Sequence, residues 1–61
     1  MQIYFIGGRA DKNLIEESKM KNPNYEKRVF ILKDGSRHTY FVQKGMPDSE
    51  ANEKAEIYRY I

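Results

Sequence analysis

The clearest pattern along the chain is RVFILKDGSRHTYFV, residues 28–42, where two runs rich in β-branched and aromatic residues flank Asp34-Gly35. Asp-Gly is a preferred pair for a two-residue type I′ turn, so the stretch predicts a β-hairpin. In the register such a turn sets, Lys33 pairs with Ser36 and Ile31 with His38. Val29, Ile31, His38, Tyr40 and Val42 then share one face. Phe30, Leu32, Arg37, Thr39 and Phe41 share the other, with Arg28. A further strand is predicted at QIYFI, residues 2–6, with Ile3 and Phe5 on one face and Tyr4 and Ile6 on the other. The C-terminal EIYRYI, residues 56–61, reads the same way, with Ile57 and Ile61 set against Tyr58 and Tyr60.

An antiparallel sheet with one wet face alternates apolar with polar residues, and these segments do not. So short a chain cannot easily cover both faces of its own sheet. Contact with another copy is the preferred explanation, and cover by a short helix is the competing one. Between the strands the signals are weaker. Residues 11–21 fit a helix capped by Asp11, with Lys12–Glu16 and Glu17–Lys21 spaced i, i+4. A short strand at Asn13–Glu17, returning beside the first strand, fits about as well. KNPNY, residues 21–25, is a loop by composition. KGMPDSEANEKA, residues 44–55, begins as a loop and can carry one or two helical turns from Asp48, with Ala51 and Ala55 stacked four apart. The expected fold is mainly β, or small α+β. It is one domain over residues 1–61, a four- to five-stranded antiparallel sheet with at most one short helix.

Length and composition sharpen the oligomer expectation. A chain of this size buries only ~60% of its unfolded surface, and small cores rarely supply more than ~3–5 kcal/mol. The absence of cysteine excludes disulfides, thiolate metal sites and cysteine nucleophiles. A single histidine argues against a metal staple, and nothing points to a cofactor. Self-association is the stabilising device that is left. The net charge is +2, from eleven basic and nine acidic residues. The two signs are interspersed, which reads as a solvated surface more than as a phosphate-neutralising face. No apolar run approaches the roughly 18 residues of a membrane span, and the N-terminus has no signal-peptide pattern. The expectation is a cytoplasmic protein with no membrane contact.

Catalysis finds little support. His38 sits mid-strand with no triad spacing around it, and Ser18, Ser36 and Ser49 lack a nucleophile-elbow context. Glu16 and Glu17 are neighbours whose side chains point apart. An enzyme is therefore disfavoured. IGGRAD, residues 6–11, raises a different chemistry. Successive glycines can converge backbone N–H groups on an anion, and Arg9 beside them offers fork-shaped donors for phosphate. Plain turn chemistry is the first-ranked reading of Gly7-Gly8, and the anion cradle the second. Tyrosines also interleave with arginines, Tyr4, Tyr25, Tyr40, Tyr58 and Tyr60 lying near Arg9, Arg28, Arg37 and Arg59 in the strand reading. Such a mixture stacks on bases and pairs with phosphates, and it equally serves a protein interface, the reading ranked first.

The opening strand followed by Gly7-Gly8, then Asp11, then Ile15-Glu16, resembles small tailed-phage proteins of the form GG-x-x-D-G-x-x-I-E. Those tend to close on an aromatic Y-R-Y strand, matched here by Tyr58-Arg59-Tyr60. Arg9 stands where proline is common in that set, and Lys12 where glycine is. More weakly, the layout is similar to the phage sponge proteins that sequester cyclic-nucleotide immune signals of the host. The resemblance implies that the last strand pairs back into the sheet, and it favours the strand at Asn13–Glu17. It also implies immune evasion by an oligomer that binds its signal without cleaving it.

The leading functional expectation is thus a non-enzymatic phage-type counter-defence protein, an anti-CBASS sponge, capturing a phosphate-bearing nucleotide at a subunit interface. Arg9 beside Gly7 and Gly8 would hold phosphate, with Arg28, Arg37 or Arg59 adding charge. Tyr40, Tyr58 or Tyr60 would stack on a base. The alternatives are a small inhibitor of a host protein and, third, a weak nucleic-acid-binding domain.

Overall fold

The computed structural model describes residues 1–60. Strands β1 (Gln2–Ile6), β2 (Leu14–Glu16), β3 (Tyr25–Ile31) and β4 (Arg37–Gln43) form one sheet in the order β2-β1-β4-β3, and helix α1 (Asp48–Tyr58) follows. The fold is small α+β. β1 is antiparallel to β2 but parallel to β4, so the sheet is mixed, where a wholly antiparallel one was expected. β1 and β4 carry the densest apolar runs, and the centre of the sheet is where both faces can be covered. Ile6 and Val42, adjacent there, are fully buried.

The hairpin forms, but one residue out of the expected register. Ile31 pairs with Arg37 and Phe30 with His38. Among Lys33, Asp34 and Gly35 only Gly35 takes positive φ, at +86°, whereas a type I′ turn needs it at both central positions. The chain instead makes a three-residue loop. Gly35 N–H donates to the Leu32 carbonyl (2.9 Å) and Leu32 N–H to the Ser36 carbonyl (2.8 Å). The Asp34 carboxylate accepts from Ser36 N–H (2.9 Å), which holds the loop in this form. A slip of one residue exchanges the faces of a whole strand. Phe30 and Leu32 therefore join Tyr40 and Val42 in the core, while Val29 and Ile31 stand out in solvent.

The C-terminal strand expected at residues 56–61 is absent. Residues up to Tyr58 belong to α1, Arg59 is its C-cap, and Ile61 lies outside the described residues. Ala51, Ala55 and Tyr58 recur at helical spacing and are all buried, so the apolar stripe continues through Tyr58. Ile57, off that stripe, is exposed. The helix begun at Asp48 is thus longer than the one or two turns expected. Ion pairs tie it to the hairpin at both ends. Arg28 Nη1 donates to the Met46 carbonyl (2.8 Å) and to Asp48 (2.9 Å), and Arg59 reaches Asp34 (3.0 Å) beside the turn.

Both faces of the sheet carry cover from within the chain. α1 covers Ile6, Phe30, Leu32, Tyr40 and Val42. On the other face Ile3, Phe5, Tyr25 and Phe41 lie under Ala10, Ile15 and Met20 of the segment joining β1 to β3. That segment contains β2, the strand reading of 13–17, followed by a 3-10 turn at Glu17–Lys19; it is not a helix capped by Asp11.

Candidate functional site

Gly7 and Gly8, at φ +88° and +67°, carry the chain out of β1. Gly7 N–H donates to Asp11 Oδ1 (2.7 Å), and the Tyr25 hydroxyl donates to the Gly7 carbonyl (2.6 Å). Ala10 N–H donates to the same tyrosine oxygen at 3.2 Å. Asp11 also accepts the Tyr58 hydroxyl, at 2.7 and 2.9 Å to its two oxygens. The Gly7 N–H that would face a bound anion is thus already held by a carboxylate of the chain. A Cβ on Gly7 would fall 2.6 Å from Met46 Cε, and one on Gly8 2.5 Å from the Tyr25 hydroxyl oxygen. Positive φ and close packing together account for both glycines. Burial raises the pKa of Tyr58, and the hydrogen bond and negative charge of Asp11 push it further, to about 12.

The nine residues nominated from the sequence separate into distinct places. Gly8 and Arg9 border a depression of about 450 Å³ whose other walls include Asn13, Asn22, Asn24 and Gln43. Arg28 lies in another concavity along β3, bound to Glu26 and Asp48, where it fastens the helix start. Tyr60 is exposed, with the Arg59 guanidinium 4.9 Å above its ring. Gly7 is buried at the end of β1, and the other four, Arg37, Tyr40, Tyr58 and Arg59, converge on one cleft of about 270 Å³. It lies between the start of β1, the start of β4 and the end of α1.

This cleft is the best candidate site. Arg59 is committed to Asp34 and Glu56, but Arg37 is exposed and has no ion pair among the described residues. Tyr40 and Tyr58 are buried, so they form the floor and leave little ring surface for stacking. Burial raises the pKa of Tyr40, the nearby Arg59 charge opposing and Glu56 adding to the shift. The sequence offered Tyr4 only as one of several interleaved tyrosines and read His38 as structural, yet both line the cleft. Tyr4 is half-buried and registers beside Tyr40. The His38 ring is stacked on Tyr40 at 17° between planes, with centroids 6.4 Å apart. Only the parallel pairing of β1 with β4 brings them together, and no local pattern encodes it. The N-terminal amino group is also at the rim, paired with Glu16 at 2.7 Å.

Ser36 Oγ lies 2.9 Å from His38 Nε2 and 2.6 Å from Asp34 Oδ1. The serine sits between the other two, and its proton goes to Asp34. In an activated nucleophile the histidine sits in the middle and takes that proton. Among the described residues no group of three or more His, Asp or Glu side chains could hold a metal ion. No helix among them is long and apolar enough to cross a membrane. Comparison with protein-family models, curated sequences and solved structures found no match.

Proposed function

We propose that the chain is a non-enzymatic binding protein that captures a phosphate-bearing nucleotide, cyclic or linear, in the cleft between β1, β4 and α1. The observation that carries this reading is that Arg37, which has no ion pair among the described residues, lines one concavity with the half-buried Tyr4 and His38. Arginine without a partner recognises phosphate through two parallel N–H donors, and aromatic or imidazole faces take a base. The cleft is small beside typical ligand pockets of ~300–1,000 Å³. It suits one base with one phosphate, and a ligand with several phosphates would extend onto a second copy. Capture without turnover is the counter-defence role that the resemblance to phage sponge proteins implies.

The test is thermal melting with a panel of cyclic di- and oligonucleotides, since a ligand bound only by the folded state raises the melting temperature. A rise with at least one member is expected. It should disappear in Arg37→Ala and persist in Arg9→Ala, whose guanidinium borders the other depression. No shift with any member at high concentration overturns the reading.

A further inference from the structure

The two edges of the sheet are unlike. β2 has only the residues Leu14–Glu16, whereas β3 runs from Tyr25 to Ile31 with a neighbour on one side only. Leu32 N–H bonds the Ser36 carbonyl and Lys44 N–H the Asn24 carbonyl, so the even-numbered positions exchange hydrogen bonds with β4. Lys27, Val29 and Ile31 therefore turn their N–H and C=O groups away from the sheet. No described residue is bonded to these groups. The side chains of Val29 and Ile31 are 55% and 66% exposed beside them. An open, apolar edge of this length is normally guarded by charge, proline or a bulge. Here the charges are neutralised within the chain: Lys27 by Glu17 at 2.7 Å, Arg28 by Glu26 and Asp48.

We propose that β3 pairs antiparallel with β3 of a second copy across a two-fold axis through Val29, joining the two sheets into one. The charge pattern selects both the partner and the register. With Val29 opposite Val29 of the second copy, Lys27 faces Ile31 and Ile31 faces Lys27. All three open residues then pair, giving about six ladder hydrogen bonds at two per pair. On the helix side Arg28 meets Phe30, and Glu26 meets Leu32. No like charges oppose one another. The adjacent registers compatible with the open positions all fail this test. One sets Arg28 against Arg28, the next in that direction Lys27 against Lys27, and the one on the other side Lys27 against Lys33. Like charges directly opposite are destabilising. Lys33 N–H is in any case held by Glu56 Oε2 at 2.8 Å. None of Lys27, Val29 or Ile31 lines the Tyr/Arg cleft, so the pairing goes beyond the nucleotide reading and stands or falls separately.

Sedimentation or native mass measurement from about 10 µM to about 1 mM protein tests the pairing. The wild type is expected to be a dimer. Val29→Pro removes an N–H donor that the monomer does not use, so the chain should stay folded by circular dichroism and run as a monomer. Val29→Lys and Val29→Glu each place like charges on the axis and should weaken dimerisation at least about tenfold. Mixed together, they should form a heterodimer, which only a Val29-centred register predicts. A monomeric wild type across that range, including one whose edge takes up some other strand, overturns the proposal. A wild-type dimer indifferent to Val29→Pro, or a Lys/Glu mixture that fails to recover dimer, overturns it too.

Discussion

On one face of the sheet Ala51, Ala55 and Tyr58 of α1 lie over Ile6, Phe30, Leu32, Tyr40 and Val42; on the other, Ala10, Ile15 and Met20 lie over Ile3, Phe5, Tyr25 and Phe41. The helix satisfies most of its own backbone polar groups, so its side chains are free to pack. The 7–24 segment is largely irregular and cannot do this, and buried backbone groups must find partners. Tyr25 and Asp11 supply them, binding the Gly7 carbonyl, the Gly7 N–H and the Ala10 N–H. Tyr58 then links the two layers, since its ring belongs to the helix-side core and its hydroxyl to Asp11. An irregular cover is thus held by a few polar side chains, and a helical cover by many apolar contacts.

The sharpest way to break this contrast is Asp11→Ala. It leaves both the Gly7 N–H and the Tyr58 hydroxyl without a partner, at about 1–3 kcal/mol each, so a loss of about 3 kcal/mol is expected. In a chain whose total stability is of order 3–5 kcal/mol, urea titration should show a largely lost transition. Next comes a pair of glycine substitutions. Gly7→Ala must hold alanine at φ +88° with its Cβ against Met46, whereas Gly35→Ala meets nothing within 4 Å at φ +86°. Both carry the left-handed penalty of about 1–2 kcal/mol. Only Gly7→Ala also requires the Met46 methyl and Gln43 to shift, so its denaturation midpoint should fall somewhat further.

Tyr58→Phe keeps the ring and removes the link between the layers, at about 1 kcal/mol near neutral pH. It also has a pH signature. The folded pKa of about 12 lies above the ordinary value of 10. The Tyr58 contribution is therefore complete below about pH 10 and is lost as pH rises through 12. Stability measured over that window should fall more steeply in the wild type than in Tyr58→Phe. Equal slopes would mean that Tyr58 is not held by Asp11. Smallest of all, Ile57→Ser on the exposed side of α1 should change stability by no more than about 0.5 kcal/mol.

Local pattern determined a good part of this protein. The β-branched and aromatic runs at 2–6 and 28–42 form strands because their stiff side chains suit a pleated surface, and Asp34-Gly35 marks the hairpin between them. Ala51 and Ala55, four residues apart, placed a buried helix face correctly. Tertiary structure decided what local signals left balanced. The hairpin register turned on whether one or two residues take positive φ, which moved Phe30 and Leu32 into the core. Tyr58-Arg59-Tyr60 has the composition of a strand, yet Tyr58 completes a helical stripe because its ring can fill the sheet-facing core while its hydroxyl reaches Asp11 across 47 positions of sequence. The cleft was legible only in part. Tyr4, Arg37, Tyr40, Tyr58 and Arg59 stood out by residue type and His38 did not, but only the parallel pairing of β1 with β4 brings Tyr4 and His38 to the others. Residue type and short-range spacing are written along the chain. Which distant segments share the centre of the sheet depends on burying the most apolar surface at once, and only the folded chain settles that.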